Sequence, residues 1–318
     1  MQSIKWSGLF LWVILLAAGG NAAEPADGFT VEQGLDAQLN GKTWLRTVTT
    51  PFDKNNPELA YKVYTHLYDF EGAFPITKGS GGKYSHHRGL FIGWKATHIG
   101  DSVVDTWHMR TGKKDKGREI YAHQQLEEWI SFDANENRIS QTARILWAAE
   151  NMEPFIEEER TLVAYPGEKG MRVVDFISVL KTLAGPIQLR GDAQHAGMQI
   201  RMANEVSEHE NETEYILPDG AVTLGNDIID GAWWICGSMP IGGKRYWIVH
   251  LTSPELITGQ PQYSARLYGR FGAFFEPDLK PGVPLRIACR IILSETPLDQ
   301  KQCEDLYQQY KQDVEKSS

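Results

Sequence analysis

The stretch RISQTARILWA, residues 138–148, decides the fold class of this chain. Side chains on an extended backbone alternate between two faces. One face of this stretch carries Ile139, Ala143, Ile145 and Trp147. The other face carries Arg138, Ser140, Thr142 and Arg144. This alternation of apolar and polar positions predicts a β-strand with one buried face and one face toward water.

The segments around this stretch also have strand character. Residues 127–132 precede it, and the polar run 133–137 between the two predicts a hairpin. Residues 171–183 are apolar on both faces in their first half, which predicts a strand that is covered on two sides. The other strand-like segments are 35–39, 43–48, 60–68, 157–165, 233–239, 244–252, 264–275 and 284–293.

One segment near the end of the chain predicts an α-helix. Its apolar residues recur at roughly helical spacing and are Leu298, Cys303, Leu306, Tyr310 and Val314. Pro297 suits a first helical position, and Thr296 can cap the helix. So many strands with one convincing helix predict an all-β fold, a large antiparallel β-sandwich with a C-terminal α-helix.

The first residues have the pattern of a signal peptide. Lys5 precedes an apolar run, residues 9–18, and small residues follow at 20–23. We therefore predict a signal peptide over residues 1–23 and a single β-sandwich domain over residues 24–318. The protein is expected to be exported, either periplasmic or extracellular, and not to contact a membrane once the signal is cleaved.

Composition excludes several classes of function. The formal net charge is −9, which disfavours binding to nucleic acid or to an anionic membrane. The three cysteines, Cys236, Cys289 and Cys303, have neither the spacing of a zinc motif nor that of a disulfide framework, so one bridge or free thiols are both open. Fingerprints of zinc peptidases, α/β-hydrolases, nucleotide hydrolases and nicotinamide enzymes do not occur. We predict no cofactor and no metal.

Three polar clusters carry the chemistry that the sequence offers. The first lies in the stretch 84–90, where Tyr84 precedes His86, His87 and Arg88. An imidazole can act as a general acid or base near neutral pH, and an arginine can hold a carboxylate or a developing oxyanion. If the stretch is extended, His86 and His87 point to opposite sides and cannot easily bind one metal ion unless the segment turns.

The other two clusters each contain an aspartate and a histidine. Asp105 can orient an imidazole, and Trp107 can stack on a sugar ring, although His108 would point away from Asp105 on an extended backbone. Gly191 and Gly197 bracket the third cluster and favour a tight turn. The candidate catalytic residues are His86, His87, Arg88, Asp105, His108 and His195. The candidate substrate-binding residues are Tyr84, Trp107, Asp192, Gln199 and Arg201.

These motifs resemble an exported bacterial family catalogued as "methane oxygenase PmoA". The residues that carry the resemblance are 51–53, 61–66, 78–94, 105–109, 190–201 and 268–272. That family is similar to the galactose-mutarotase-type super-sandwich, in which a histidine and a carboxylate act as acid and base on a sugar ring. The catalogue name implies an oxygenase, but a membrane oxygenase subunit has spanning helices, and no segment after the leader is long and apolar enough.

Three functions follow as hypotheses. The first is an exported carbohydrate-active enzyme that breaks or isomerises a glycoside or sugar ring by histidine/carboxylate acid–base chemistry. The second is a non-catalytic carbohydrate-binding protein, in which tryptophans stack on the ligand. The third is a copper- or iron-dependent oxygenase that uses His86, His87 and His108 as ligands. The predicted partner is a carbohydrate or glycoside, and the sequence does not assign an oligomeric state.

Overall fold

Strands make up most of the chain. The computed structural model describes residues 33–257 and 259–317. The first eleven strands within these ranges are β1 (Gly34–Leu39), β2 (Lys42–Val48), β3 (Tyr64–Leu67), β4 (Leu90–Trp94), β5 (Ala96–Ile99), β6 (Ser102–Val104), β7 (Arg110–Asp115), β8 (Arg118–Asn135), β9 (Arg138–Ala149), β10 (Met152–Pro166) and β11 (Arg172–Thr182). The next eleven are β12 (Ile187–Arg190), β13 (Ala196–Arg201), β14 (Glu214–Ile216), β15 (Val222–Leu224), β16 (Ile228–Asp230), β17 (Trp234–Ile241), β18 (Lys244–Thr252), β19 (Gln262–Arg266), β20 (Arg270–Phe274), β21 (Asp278–Leu279) and β22 (Leu285–Ser294). The two α-helices of these ranges are α1 (Pro57–Ala60) and α2 (Gln300–Ser317).

Two large antiparallel sheets form the body of the fold. One nine-stranded sheet, called the first sheet below, has the order β1-β2-β3-β4-β13-β20-β19-β16-β15. The second has the order β14-β17-β18-β22-β11-β10-β9-β8-β7, and a smaller sheet has the order β21-β12-β5-β6. Trp94 of β4 and Trp147 of β9 meet in one core with their ring centroids 6.2 Å apart, so the large sheets pack face to face. The predicted all-β antiparallel sandwich is confirmed.

The hairpin around residues 133–137 forms as its alternation predicts. Its strands β8 and β9 are longer than expected and pair from Asn135 opposite Arg138 toward Ala122 opposite Ala149. The four apolar residues of the alternating face of β9 are all buried. Burial of this face therefore fixes which side of β9 meets the first sheet.

Strand β11 is covered on both faces, as predicted. Val174 and Phe176 lie in the core between the sheets, whereas Val173 lies in a second cluster with residues of α2. The helix therefore covers the side of the second sheet that faces away from the main core.

Helix α2 begins at Gln300, three residues after the predicted start at Pro297. The predicted cap at Thr296 is wrong because Asp299 and Gln302 form a reciprocal capping box. The Gln302 amide donates to Asp299 Oδ1 at 2.8 Å, and the Asp299 amide donates to Gln302 Oε1 at 2.8 Å. Cys303 faces the sheet from this helix, and all three cysteines are buried free thiols.

The face of the first sheet that points away from the core is also covered. In β13, Met198 and Ile200 belong to the main core, so Gln199 and Arg201 point the opposite way, and both are buried. A small apolar cluster of Val48, Tyr64, Phe91 and Trp107 lies apart from the main core. The loops that carry residues 78–89 and 105–109 therefore close over this outer face.

The described residues fall into a single compact unit. The predicted signal peptide, residues 1–23, lies outside the described residues, so the division at residue 23 stays a prediction. In the part of the chain that the structure describes, no helix has both the length and the apolar character needed to cross a membrane.

Candidate functional site

The double-histidine segment turns instead of running extended. Tyr84 has a φ of 55°, and the His87 amide donates to the Tyr84 carbonyl at 2.9 Å. The turn brings the rings of His86 and His87 together with their centroids 4.3 Å apart. The expected projection of the two imidazoles to opposite sides is corrected, because that expectation assumed a strand.

The second cluster is a turn organised by Asp105. Its Oδ1 accepts hydrogen bonds from the amides of Trp107 and His108 at 3.0 and 2.7 Å. Its Oδ2 lies 2.7 Å from Nδ1 of His108. Since the carboxylate holds both the backbone and the ring, His108 does not point away from Asp105 as an extended segment would require.

The third cluster repeats this geometry at the end of β12. The Gln194 amide donates to Asp192 Oδ1 at 3.0 Å, and Nδ1 of His195 lies 2.7 Å from the same oxygen. The chain then enters β13 through Gly197, which has a φ of 91°. A Cβ at that position would lie 2.1 Å from the Ala273 carbonyl oxygen, so only glycine allows this close approach.

The three turns meet at one place. The ring centroids of His86 and His108 are 4.4 Å apart, and those of His108 and His195 are 5.4 Å apart. We call these three residues the histidine cluster. An imidazole that donates from Nδ1 to a carboxylate has its basic nitrogen at Nε2. Both paired imidazoles, His108 and His195, remain partly exposed, so a ligand can reach the site.

Two imidazoles of the cluster, those of His86 and His195, favour their neutral form. Burial lowers the pKa of His86 to about 2, and the positive charge of Lys62 adds to this effect. Burial also lowers the pKa of His195, and the opposing hydrogen bond from Asp192 does not fully offset it. At neutral pH the rings of His86 and His195 are therefore uncharged, and the low pKa makes His86 a weak base.

Lys62 lies beneath the cluster and was not foreseen from the sequence. Its buried Nζ donates to the carbonyls of His86 and Trp107 at 2.7 and 2.6 Å. Burial, together with the charge of Arg88, holds its pKa well below the usual value. A lysine between the tyrosines of the strand-like segment 60–68 is the signal that could have marked it. Lys62 joins two of the three turns into one unit.

Arg88 and Trp107 do not have the roles predicted for them. The buried Arg88 guanidinium donates to the backbone carbonyls of Ser85, His87 and Glu58, so it fixes the turn and does not face a ligand. Trp107 is 0% exposed and packs on Phe91, with ring centroids 5.0 Å apart. Its ring therefore cannot stack on a sugar in this conformation, which corrects the expected role.

His87, Gln199 and Arg201 form a buried layer next to the cluster. Gln199 Oε1 accepts a hydrogen bond from Arg270 at 3.2 Å. The Nδ1 atom of His87 is buried and has no hydrogen-bond partner among the described residues. Burial lowers the pKa of His87 well below its usual value. None of the three side chains meets solvent, so direct substrate contact requires movement of the residues above them.

Two tyrosines provide exposed aromatic surface beside this layer. Tyr84 is 44% exposed, and its ring centroid lies 4.7 Å from that of Tyr268. Both rings line a cavity of about 580 Å³, together with the ion pair of Lys83 and Glu210. Sequence reasoning missed Tyr268, because it lies in the turn between β19 and β20, about 70 residues beyond the third cluster.

A larger cleft, of about 950 Å³, is lined by other residues, among them Phe52, Arg118 and His123. It contains no member of the histidine cluster, so we place the candidate site at the cluster and not at this cleft. Among the described residues, no group of three or more His, Cys, Asp or Glu side chains has the arrangement of a metal site. The predicted ligand set of His86, His87 and His108 is therefore not such a group.

Comparisons with known proteins define a family. A family model matches residues 34–308, so the chain belongs to the "Family of unknown function (DUF6807)". No significant match was found among curated proteins. The family description gives no activity, so the oxygenase activity implied by the resemblance described above stays a prediction.

Several solved structures are distantly similar to this chain. The chain is similar to a GalM/aldose epimerase homologue from C. elegans, with 8% identity, a TM-score of 0.38, and coverage of 83% of this chain and 98% of that one. It is also similar to a putative kojibiose phosphorylase from the human microbiome, with 9% identity and a TM-score of 0.34. That match covers 86% of this chain and 36% of the phosphorylase. With TM-scores below 0.5, neither match assigns a function or a catalytic residue to this chain.

Proposed function

We propose that this member of the DUF6807 family is an exported enzyme that acts on a carbohydrate by histidine–carboxylate acid–base chemistry. The observation that carries the proposal is the convergence of two aspartate–histidine pairs. The pairs come from separate turns, and the rings of His108 and His195 are 5.4 Å apart between centroids. The leader pattern in residues 1–23 supports export.

The two pairs give one acid and one base. Asp105 and Asp192 each accept a hydrogen bond from Nδ1 of their histidine, which fixes the tautomer and leaves Nε2 as the nitrogen that takes a proton. One imidazole removes a proton from the substrate, and the other, once protonated, delivers a proton to a substrate oxygen. The adjacent aspartate stabilises whichever imidazole becomes charged. This exchange conserves protons in elimination and in epimerisation. In hydrolysis the base takes its proton from the attacking water, and the acid protonates the leaving oxygen.

The surroundings of the cluster support a sugar as substrate. The exposed ring of Tyr84 beside Tyr268 offers an apolar face next to polar groups, the combination that suits a sugar ring. The adjoining cavity of about 580 Å³ lies in the range of small-ligand sites. Tyr84 and Tyr268 thus take the stacking role that the sequence suggested for Trp107.

The test is a panel of oligosaccharides that is scored for both binding and product. Titration calorimetry measures binding, and chromatography with mass spectrometry follows each mixture over long incubation. We expect at least one saccharide to bind and to be converted. Binding without any product would favour a non-catalytic carbohydrate-binding protein, and no binding at all would contradict the carbohydrate assignment.

A further inference from the structure

Two buried arginines lie side by side next to the histidine cluster. Arg201 of β13 and Arg270 of β20 are directly opposite each other in the strand register. They point to the same outer face of the first sheet, and both are almost completely buried, at 0% and 1% exposure. Like charges in directly opposed positions destabilise a sheet, so this pairing has a cost in the unliganded fold.

Neither guanidinium forms an ion pair within the described residues. Arg270 donates to the neutral acceptors Gln199 Oε1, at 3.2 Å, and Ser264 Oγ, at 2.8 Å. Arg201 donates from Nη1 to the carbonyls of Met202 and Tyr268. The nearby carboxylate of Glu210 pairs with Lys83 at 2.6 Å. Among the described residues, no carboxylate therefore forms a direct ion pair with either arginine.

Arg201 also has unsatisfied donors. Its Nε and Nη2 atoms are buried and have no hydrogen-bond partner in the part of the chain that the structure describes. Buried charges in proteins are normally paired, and leaving a charged donor unsatisfied costs free energy. Burial lowers the pKa of Arg201 to about 10, which is consistent with an environment that disfavours the bare cation.

Within the described residues, Arg172 is also a buried arginine without an ion pair, but its donors are satisfied by the fold. Arg172 donates to the carbonyls of Asp69 and Phe70 at 2.9 and 2.6 Å, and its guanidinium stacks over Trp44 at 4.3 Å. None of its nitrogen atoms is buried without a partner among the described residues. The fold satisfies the donors of Arg172, whereas two buried donors of Arg201 have no acceptor among the described residues.

We propose that the substrate of this site is an acidic saccharide whose anionic group binds Arg201, with Arg270 beside it. The inference rests on the proposed function and names its substrate class. Nε and Nη2 of a guanidinium form one edge of a planar fork that matches two oxygens of a carboxylate, or of a sulfate ester. The negative charge of the ligand supplies the compensation that the protein lacks.

Tyr268 controls access to this subsite. Its ring lies 4.8 Å from the Arg201 guanidinium and also lines the 580 Å³ cavity. It belongs to the turn 266–270, where Gly269 has a φ of 78°. A shift of this ring opens Arg201 to the cavity. The Tyr268 ring also stacks on that of His87, with centroids 6.1 Å apart, and His87 lies beside His86 of the histidine cluster.

The test compares acidic saccharides with matched neutral ones. Calorimetry uses oligogalacturonate, oligomannuronate, oligoguluronate and a glucuronate-containing oligosaccharide, each with its carboxyl-reduced counterpart. A sulfated oligosaccharide with its desulfated counterpart forms a further arm, which separates sulfate from carboxylate. We expect at least one acidic member to bind ten-fold or more tightly than its neutral partner. Equal or tighter binding of the neutral partners overturns the inference but leaves the proposed function standing, and no binding by any saccharide contradicts both.

Variants then assign the effect to Arg201. Arg201→Met is expected to lose the acidic preference at least ten-fold while it still binds neutral saccharide. Arg172→Met is the matched control, a second buried arginine away from the cluster, and it is expected to keep the preference. Retention of the preference in Arg201→Met would overturn the assignment. The comparison of acidic with neutral saccharides uses the wild-type protein. It therefore tests the preference for an acidic substrate even if Arg201→Met does not fold.

Discussion

At the scale of single residues, the site is made by one motif that occurs twice. In Asp105–His108 and in Asp192–His195, a carboxylate three residues before a histidine holds both the turn and the ring. The spacing is visible in the sequence, but spacing alone does not select a site. His209 and Glu212 are also three residues apart and 3.2 Å from each other, yet they lie exposed and away from the cluster. The pairs Asp105–His108 and Asp192–His195 differ from this one because the fold brings the rings of His108 and His195 together.

The position of His86 makes a prediction for spectroscopy. Because burial and the charge of Lys62 lower its pKa to about 2, the ring stays neutral when the pH falls from 7 to 4. Long-range proton–nitrogen correlation spectra of the histidine side chains, recorded across this range, measure the protonation directly. A protonation step of His86 near pH 6.5 would contradict the described environment.

A buried ion pair in the core gives a prediction for stability. Glu158 accepts hydrogen bonds from Arg160, Trp147 Nε1 and Ser178, and both members of the pair are buried. Arg160→Met leaves the Glu158 carboxylate buried without its partner, so the free energy of unfolding should fall by about 3–5 kcal/mol. Urea unfolding followed by fluorescence measures the change.

The control for this variant is a surface arginine. Arg144 pairs with Glu128 on the exposed side of β9. Exposed pairs contribute about 0–1 kcal/mol, so Arg144→Met should change the free energy of unfolding much less. If Arg160→Met and Arg144→Met lowered the free energy of unfolding equally, the stabilising role of the buried pair would be contradicted.

At the scale of elements, the strands could be predicted from the sequence, whereas the detailed geometry of the turns at the site could not. The alternation in 138–148 was sufficient to predict β9 and its buried face, because that pattern is local. The first two polar clusters were considered as extended segments, whereas the third was predicted as a tight turn. The amides of His108 and Gln194 donate to Asp105 and Asp192 and bend the second and third clusters. Tyr84, at a φ of 55°, bends the first cluster, and a tyrosine gives no sequence signal for that conformation.

The capping box of α2 makes a prediction for the helix. Asp299→Ala removes the acceptor for the Gln302 amide, so the free energy of unfolding should fall by about 0.5–2 kcal/mol. Asp305→Ala is the control, because Asp305 makes only an exposed pair with Lys301 and should change stability by about 0.5 kcal/mol or less. Chemical denaturation of both variants measures the difference, and an unchanged stability of Asp299→Ala would refute the capping role.

At the scale of the whole molecule, the first sheet positions the site through contacts that the sequence does not show. Strands β4, β13 and β20 are neighbours, although about 70 residues separate β13 from β20 along the chain. The register that sets Arg201 opposite Arg270 depends on this long-range pairing. Residues 190–201 were therefore identified as a cluster, but their burial and their charged neighbour were not predictable.

Buried histidines predict how stability depends on pH. Burial lowers the pKa of His86 to about 2 and that of His250 to about 3, whereas an unfolded chain protonates histidine near 6.5. Below pH 6.5 the unfolded state therefore binds more protons than the folded state, and stability falls as the pH falls. Each of the two histidines should remove about 2 kcal/mol between pH 7 and pH 5.

Urea unfolding at pH 7, 6 and 5 measures this loss. His86→Gln should remove roughly half of the pH dependence that the two residues cause, and His250→Gln should remove a similar share if it folds. A free energy of unfolding that stays constant or rises toward pH 5 would contradict the account of these buried rings.

The most direct test of the account is the rate of conversion of the identified saccharide by histidine variants. His108→Ala and His195→Ala are each expected to lower kcat by about 10²–10⁴-fold, since each removes a positioned proton-transfer group. His209→Ala, which removes an exposed histidine beside Glu212, should leave kcat unchanged, and circular dichroism should show all three variants folded. Full activity of both His108→Ala and His195→Ala would contradict the central claim that these paired imidazoles perform the chemistry.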